Sequence, residues 1–264
     1  MENIKLEFTG ERFFISEEKN WELYYQHIAR YLFARRLVKN KLVLDAACGA
    51  GYGAAILAPK ASKIVGIDIS KEAIDYCKKK YNMSNTTFAV MDCASIAFPD
   101  ELFDLIVSFE TLEHISEVEK YVQELHRILK PEGQLVISTP NRDVYAIYNK
   151  GQKNKFHTYE FDDKGFRELM KPYFEIEDIY GQRYFAPKDV TLLTPYTSME
   201  IPTAPDGIFK KIVRVGMRTF LPDGLMRRKL ISYEIWANKC RVGDIVPSKA
   251  VYMVGVMRKK QKVI

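Results

Sequence analysis

Short apolar runs alternate with helically periodic stretches along residues 42–140, and this alternation limits the fold more than any other feature of the chain. LVLDAA (42–47), KIVGIDI (63–69), TTFAVMD (86–92), FDLIVSF (103–109) and QLVISTP (134–140) read as strands. Helical patterns over 52–57, 71–81 and 116–129 lie between them. Strands that are apolar almost throughout are buried on both faces, which predicts an α/β fold with a mostly parallel sheet covered by helices on both sides. Ser70 is the predicted N-cap of the helix over 71–81. Ser116 and Glu119 form a predicted capping box for the helix that stops at Lys130-Pro131. Residues 21–39 read as an amphipathic helix, with Leu23, His27, Ala34 and Leu37 at helical spacing.

Past 140 the rhythm loosens. A helix is predicted over 163–171 and a strand over 174–181. Residues 185–249 hold Pro187, Pro195, Pro202, Pro205, Pro222 and Pro247 and little alternation. VYMVGVMR (251–258) returns to strand character and reads as the last strand of the sheet. The 264 residues thus divide as one domain. It has an N-terminal helical lid (1–40), a core (41–184 and 250–264) and an insertion or acceptor-specificity cap (185–249).

The loop after the strand at 42–47 carries the strongest chemical signal. Asp45 precedes Gly49, Gly51 and Gly53, which stand at every second position before a helix. Small residues let a ligand approach the backbone, and a helix start offers unpaired N–H groups. A dinucleotide fingerprint has the spacing G-x-G-x-x-G; here it is G-x-G-x-G, which disfavours a dehydrogenase. Asp45 at the strand end can face a cationic group. Asp68 ends the next strand, where a carboxylate can accept both hydroxyls of a ribose, and Ile69 borders the same ligand. Asp92 ends the third strand and can accept an adenine amino group, while the Cys93 N–H meets a ring nitrogen. Acids at three carboxyl-terminal strand ends converge on the crevice where open α/β sheets bind ligands.

The segments LDAACGAGYG, GIDIS, MDCASIAFPD, FDLIVSFETLEHI and LKPEGQLVISTPN resemble the class I S-adenosylmethionine-dependent methyltransferases. FTGER (8–12), HIARY (27–31), NKFHTYEF (154–161), YGQRY (180–184) and the closing VYMVGV are similar to a bacterial subgroup associated with glycan and deoxysugar pathways. The chain departs from that subgroup at Lys155, where proline is usual, and at Gln26, where glutamate is usual. The resemblance implies a Rossmann-like, seven-stranded sheet and S-adenosylmethionine as cofactor. Methyl transfer requires no metal in principle, so no metal ligand is assigned, and metal dependence is left open. The resemblance also implies O-methylation of a sugar, nucleotide-linked or glycan-bound. N-methylation of an amino sugar and O-methylation of another natural product are the alternatives.

Methyl transfer from a sulfonium needs alignment of nucleophile, methyl and sulfur, and a base if the nucleophile carries a proton. His114, in the ETLEH segment after the fourth strand, and His157, with Tyr159 and Glu160 beside it, are the candidate bases, and the sequence does not choose between them. Each also reads as an ordinary packing or loop histidine. Tyr159, Glu160 and Asn141 are expected to line the acceptor pocket, and Glu110 to border the cofactor. His27 and Tyr31 share one helix face and, with Arg12, are expected to contact the methionine carboxylate, or else to form a packed lid face. His126, mid-helix beside Arg127, reads as a surface residue.

Cys48, Cys77, Cys93 and Cys240 lack the spacing of a structural zinc site and suit a reducing cytosol, so a cytoplasmic location is expected. MENIKLEFTGERFF has early acids and no apolar core, so it does not read as a leader. The net charge of +6 is uneven: Lys210, Lys211, Arg214, Arg218, Arg227, Arg228, Lys229, Lys239 and Arg241 oppose only Asp223 and Glu234 over 207–241. A basic amphipathic helix over 207–220 can lie on an anionic membrane, bind a phosphate-bearing acceptor, or dock on the core. A nucleic-acid partner is not expected, because no RNA-binding module is recognisable. Oligomerisation is left open.

Overall fold

The computed structural model describes residues 21–148, 151–152, 154–184, 238–239 and 250–261. Arg12, the basic helix over 207–220 and nearly all of the 185–249 insertion lie outside the described residues. The described elements are α1 (Trp21–Ala34), β1 (Leu42–Ala46), α2 (Tyr52–Leu57), β2 (Lys63–Asp68), α3 (Lys71–Lys80), β3 (Thr86–Val90) and β4 (Phe103–Phe109). A 3-10 turn (Leu112–His114) follows, then α4 (Val118–Ile128), β5 (Leu129–Pro140), α5 (Arg142–Tyr148), α6 (Asp163–Met170), β6 (Phe174–Tyr184), β7 (Asn238–Lys239) and β8 (Ala250–Lys259).

The sheet order is β3-β2-β1-β4-β5-β8-β6-β7. Strands β3 to β5 pair in parallel, and β8 runs antiparallel between β5 and β6. This is the expected Rossmann-like sheet of seven strands, with the two-residue β7 added antiparallel to β6 at its edge. The chain moves outward from β1 to β3 and then returns to place β4 on the other side of β1. The carboxyl ends of β1 and β4 therefore flank the point where strand order reverses, which is where such sheets bind ligands.

Successive strand residues point to opposite faces, and two apolar layers result. Leu44, Ile106, Leu135 and Ile137 pack with Tyr121, Val122 and Leu125 of α4 and Phe166 and Met170 of α6. Val43, Leu105, Val107 and Val136 pack with Tyr31 and Ala34 of α1, Leu57 of α2 and Ile74 of α3. Each fully buried Leu, Ile or Phe in these layers contributes about 1.5–3 kcal/mol. Among the described residues, no helix is long and apolar enough to cross a membrane.

Three local expectations change. Ser116 and Glu119 do not form a capping box: α4 begins at Val118 with Glu117 at its N-cap and no side-chain cap bond. Ile115 is extended between the 3-10 turn and the helix, and Ser116 lies one residue before the N-cap position. β5 begins at Leu129, before Pro131, because Leu129 already pairs with Phe103; the register then shifts before Gln134 meets Leu105. Proline is tolerated in such an irregularity because no ladder bond needs its N–H. His126 is half-buried, its ring against Tyr173 and Phe174. Ser70 does cap α3, its side chain accepting from the Ala73 N–H.

Candidate active site

The glycine loop takes its shape from backbone that few side chains tolerate. Gly49 and Gly51 have φ of 53° and 75°, and Ala47 joins them at 57°. A Cβ on Gly51 would stand 2.6 Å from the Cys77 sulfur. Gly53 has a different duty: a Cβ there would stand 2.0 Å from the Tyr31 ring, so this glycine makes room for α1 on α2.

That contact carries the Tyr31 hydroxyl to the end of β1, where it donates to Asp45 Oδ1 at 2.9 Å. Asp45 is fully buried, and among the described residues its Oδ2 has no hydrogen-bond partner. Burial pushes its carboxyl up to about 7; the Tyr31 hydroxyl opposes the rise and the nearby Asp68 charge adds to it. His27 meets the Tyr52 hydroxyl at 3.0 Å, and burial holds its pKa well below the usual range, so it is a neutral ring. The expected contact of His27 and Tyr31 with a carboxylate thus meets two groups already engaged elsewhere.

Asp68 ends β2 and is nearly buried. Its Oδ2 accepts from the Gly49 N–H and its Oδ1 from the Ser70 N–H, each at 2.9 Å. The same carboxylate that can take ribose hydroxyls therefore also ties the glycine loop to β2; each oxygen retains acceptor capacity. Ile69 is 72% exposed and Val90, at the end of β3, 49%, two apolar side chains on the rim. Asp92 is exposed, and its Oδ1 accepts from the Ala94 N–H. The Cys93 thiol is packed in the core, and burial raises it to about 12.

Glu110 follows β4 with a φ of 52°, a conformation costing about 1–3 kcal/mol for a non-glycine residue and concentrated at functional sites. Its N–H donates to the Ser138 carbonyl, and Ser138 Oγ donates to its Oε1 at 2.6 Å. Arg30 Nη1 lies 3.3 Å from the same oxygen. Sequence reasoning missed Arg30, which is fully buried on α1. It donates to Gln182 Oε1 at 2.8 Å and stands over the Tyr252 ring, yet among the described residues its Nε and Nη2 have no hydrogen-bond partner. The only available signal was its place inside HIARY; a buried arginine looks like a surface one in a helical pattern.

The acceptor-side candidates gather where the loop after β4 meets residues 154–160. The His114 and His157 rings lie edge to face at 5.0 Å. His157 Nδ1 is 2.7 Å from Glu160 Oε1, and Tyr145 stacks on its ring. Glu113 is 1% exposed and accepts from Thr139 Oγ1 at 3.0 Å; burial, then the charge of Glu110, raises its pKa well above the usual range. Tyr159 is exposed and edge-on to Phe161. Asn141 is buried, with its side-chain oxygen accepting from the Asp143 N–H at the start of α5, which is a structural role.

The residues fit the donor and nucleoside that the resemblance implies. A buried carboxylate oxygen and two buried guanidinium nitrogens, all without partners, match the ammonium and carboxylate of an amino-acid tail. The rim of Asp68, Ile69 and Val90 offers acceptors and apolar surface to a ribose and a base.

Residues 44–137 match the model of a methyltransferase domain. The chain is 32% identical over 183 residues to a Mycolicibacterium smegmatis protein named "Probable S-adenosylmethionine-dependent methyltransferase", covering 67% of this chain and 68% of that one. It is 29% identical over 119 residues to a ubiquinone biosynthesis O-methyltransferase of Coxiella burnetii, covering 44% of this chain and 51% of the relative. The chain thus spans about two thirds of the first relative and about half of the second. The solved YcgJ protein of Bacillus subtilis shares the fold, with a TM-score of 0.55, 16% identity, and coverage of 89% of this chain and 99% of that one. Sheet, glycine loop and these relatives together show that the chain belongs to the S-adenosylmethionine-dependent methyltransferases.

Proposed function

We propose that the chain methylates a hydroxyl of a sugar, carried on a nucleotide or within a glycan. S-adenosylmethionine supplies an electrophilic methyl: the acceptor oxygen forms the new C–O bond, the C–S pair stays on sulfur, and the hydroxyl proton leaves. Asp45 takes the methionine ammonium and Arg30 the carboxylate, while the backbone at Gly49 and Gly51 lies beside the tail. Asp68 holds the ribose, and Ile69, Asp92 and Cys93 surround the adenine. Glu110 fixes Arg30 at the border between donor and acceptor. His114 and His157 handle the hydroxyl proton, with Tyr159 and Glu160 on the acceptor side.

The observation that carries this reading is the His157–Glu160 pair at 2.7 Å beside His114. Two imidazoles and a carboxylate gathered in one place suit a polyhydroxylated acceptor. The subgroup resemblance supports a sugar, and the Coxiella relative, named for O-methylation, supports oxygen as the accepting atom. That relative also favours a second reading, O-methylation of a quinone precursor. An amino-sugar nitrogen is the remaining alternative. The basic stretch over 207–241 suits a phosphate-bearing acceptor or an anionic membrane surface. We place the protein in the cytoplasm as one domain with an acceptor cap at 185–249, and a nucleic-acid acceptor is not part of this reading.

The test is transfer of labelled methyl from S-adenosylmethionine to a panel of nucleotide sugars, glycan extracts and quinone phenols. Label in a sugar with an ether linkage is expected; label only in phenols would transfer the assignment to the second reading. His157→Ala is expected to lower turnover at least a hundredfold and S-adenosylmethionine affinity less than threefold, in line with the usual contribution of a proton-transfer group. Unchanged turnover removes His157 from the site.

A further inference from the structure

Glu113, His114 and His157 each bring one ligand-type atom to within 4.8 Å of the others. The sequence assigns no metal ligand and leaves metal dependence open; the two histidines lie far apart in the chain and only the fold joins them. Their hydrogen bonds fix which nitrogen each ring presents. His114 Nδ1 is 3.0 Å from the Phe156 carbonyl, an acceptor only, so Nδ1 carries the proton and the lone pair sits on Nε2. His157 Nδ1 faces the Glu160 carboxylate at 2.7 Å. Its Nε2 is 2.9 Å from Asn154 Nδ2. Asn154 Oδ1 already accepts from the Phe156 N–H, so the amide NH2 is the group that points at the ring. This pairing puts the His157 lone pair on Nε2 as well, toward the Asn154 amide.

An imidazole whose outer N–H is held by a carboxylate or a backbone carbonyl is the usual state of a metal-ligating histidine. The third member is a carboxylate at 1% exposure, held by a neutral hydroxyl from Thr139. A buried carboxylate of this kind calls for a positive partner. Arg30 makes its ion pair with Glu110, and its charge also reaches Glu113. Among the described residues the carboxylates Glu110, Glu113 and Glu160 outnumber that arginine.

We propose that Glu113, His114 and His157 bind one divalent transition-metal cation that receives the acceptor hydroxyl. Two imidazoles and a carboxylate select an ion of intermediate softness, such as Mn2+, Co2+ or Zn2+. Glu160 and the Phe156 carbonyl are positioning groups that aim the rings. Asn154 yields its contact with His157 Nε2 when the ion enters. The proposal deepens the acceptor reading above and rests on it, with one change: His114 and His157 act on the hydroxyl proton through the ion and not as bases. The ion lowers the pKa of the hydroxyl, whose proton passes to water, and orients the oxygen for methyl transfer.

The experiment uses tag-free full-length protein stripped with a chelator and titrated with Co2+ in the absence of any acceptor. Uptake is followed by calorimetry and by visible d–d absorption, and S-adenosylmethionine affinity on the same samples reports an intact fold. We expect one ion per chain with d–d bands, at least tenfold weaker binding in Glu113→Gln and His157→Gln, and a smaller loss in Glu160→Gln. Absence of uptake by the unaltered protein overturns the proposal. So does equal uptake by Glu113→Gln and His157→Gln that still bind S-adenosylmethionine, since the ion is then adventitious. If those variants lose S-adenosylmethionine binding as well, His114→Gln is read by the same two criteria and decides. Sugar methylation without a bound ion sinks this inference alone; a bound ion without any methylated sugar sinks the acceptor reading alone.

Discussion

Tyr31 reaches from α1 across Gly53 to donate its hydroxyl to Asp45 at 2.9 Å, so the helix before the sheet supplies the only side-chain hydrogen bond that buried carboxylate has among the described residues. Removing the hydroxyl leaves a buried acceptor unmet, which costs about 1–3 kcal/mol. Tyr31→Phe is therefore expected to lower the melting temperature. Because the bond holds the Asp45 pKa down, the pH at which S-adenosylmethionine affinity rises should move upward. Calorimetric titrations between pH 6 and 9 read that shift; a midpoint that does not move would show that Tyr31 does not tune Asp45.

The sign of the pH effect on the cofactor-free chain follows from Asp45. Its carboxyl is raised from 3.8 to about 7 by burial, so between these values the folded state holds a proton that the unfolded state has released. Stability then falls as pH rises through that window. Glu113 is raised as well, by burial and by Glu110, and acts in the same direction. Thermal unfolding from pH 4 to pH 7.5 should show a declining melting temperature, and Asp45→Asn should flatten the decline. S-adenosylmethionine should oppose it, because its ammonium favours the ionised carboxylate. A melting temperature that climbs over this range in the cofactor-free chain would contradict the assignment.

Gly53→Ala sets a methyl group 2.0 Å from the Tyr31 ring. Overpacking of this kind costs about 1–3 kcal/mol, and α1 must shift to relieve it. The double variant Tyr31→Ala/Gly53→Ala should recover part of the loss, giving a favourable coupling energy in a double-mutant cycle. Denaturant unfolding of the four proteins measures it; strict additivity would mean that the ring and the glycine are not in contact.

Asp68→Asn keeps one acceptor oxygen yet loses the charge that receives the Gly49 and Ser70 N–H groups. Hydrogen bonds to charged groups are worth about 1.5–3 kcal/mol. A tenfold or greater loss of S-adenosylmethionine affinity is expected, with a modest fall in melting temperature because the glycine loop is also loosened. Affinity equal to that of the unaltered chain would take Asp68 out of the cofactor site.

Much of this was legible before any coordinates. Val43, Ile64 and Leu105 belong to runs of buried-strand character, and those runs became β1, β2 and β4 within a residue or two. Gly49 and Gly51 form the loop that their spacing behind Asp45 marked, and the structure adds that both adopt left-handed backbone. Periodicity and glycine content are local properties, and strand burial follows directly from them. The ends of elements were less legible. α4 begins at Val118, two residues after the serine that reads as its cap, and β5 begins early because Phe103 is there to pair with Leu129.

By itself, then, the sequence determined the layered α/β sheet and the order of acids at its strand tips, since each depends on residues near one another in the chain. The tertiary structure alone decided that Asp68 pins the glycine loop, that a buried Arg30 meets Glu110, and that Glu113 and His114 stand beside His157. Those relationships join segments separated by long stretches of chain. No propensity encodes them, because their energies arise only when packing has removed water from between the partners.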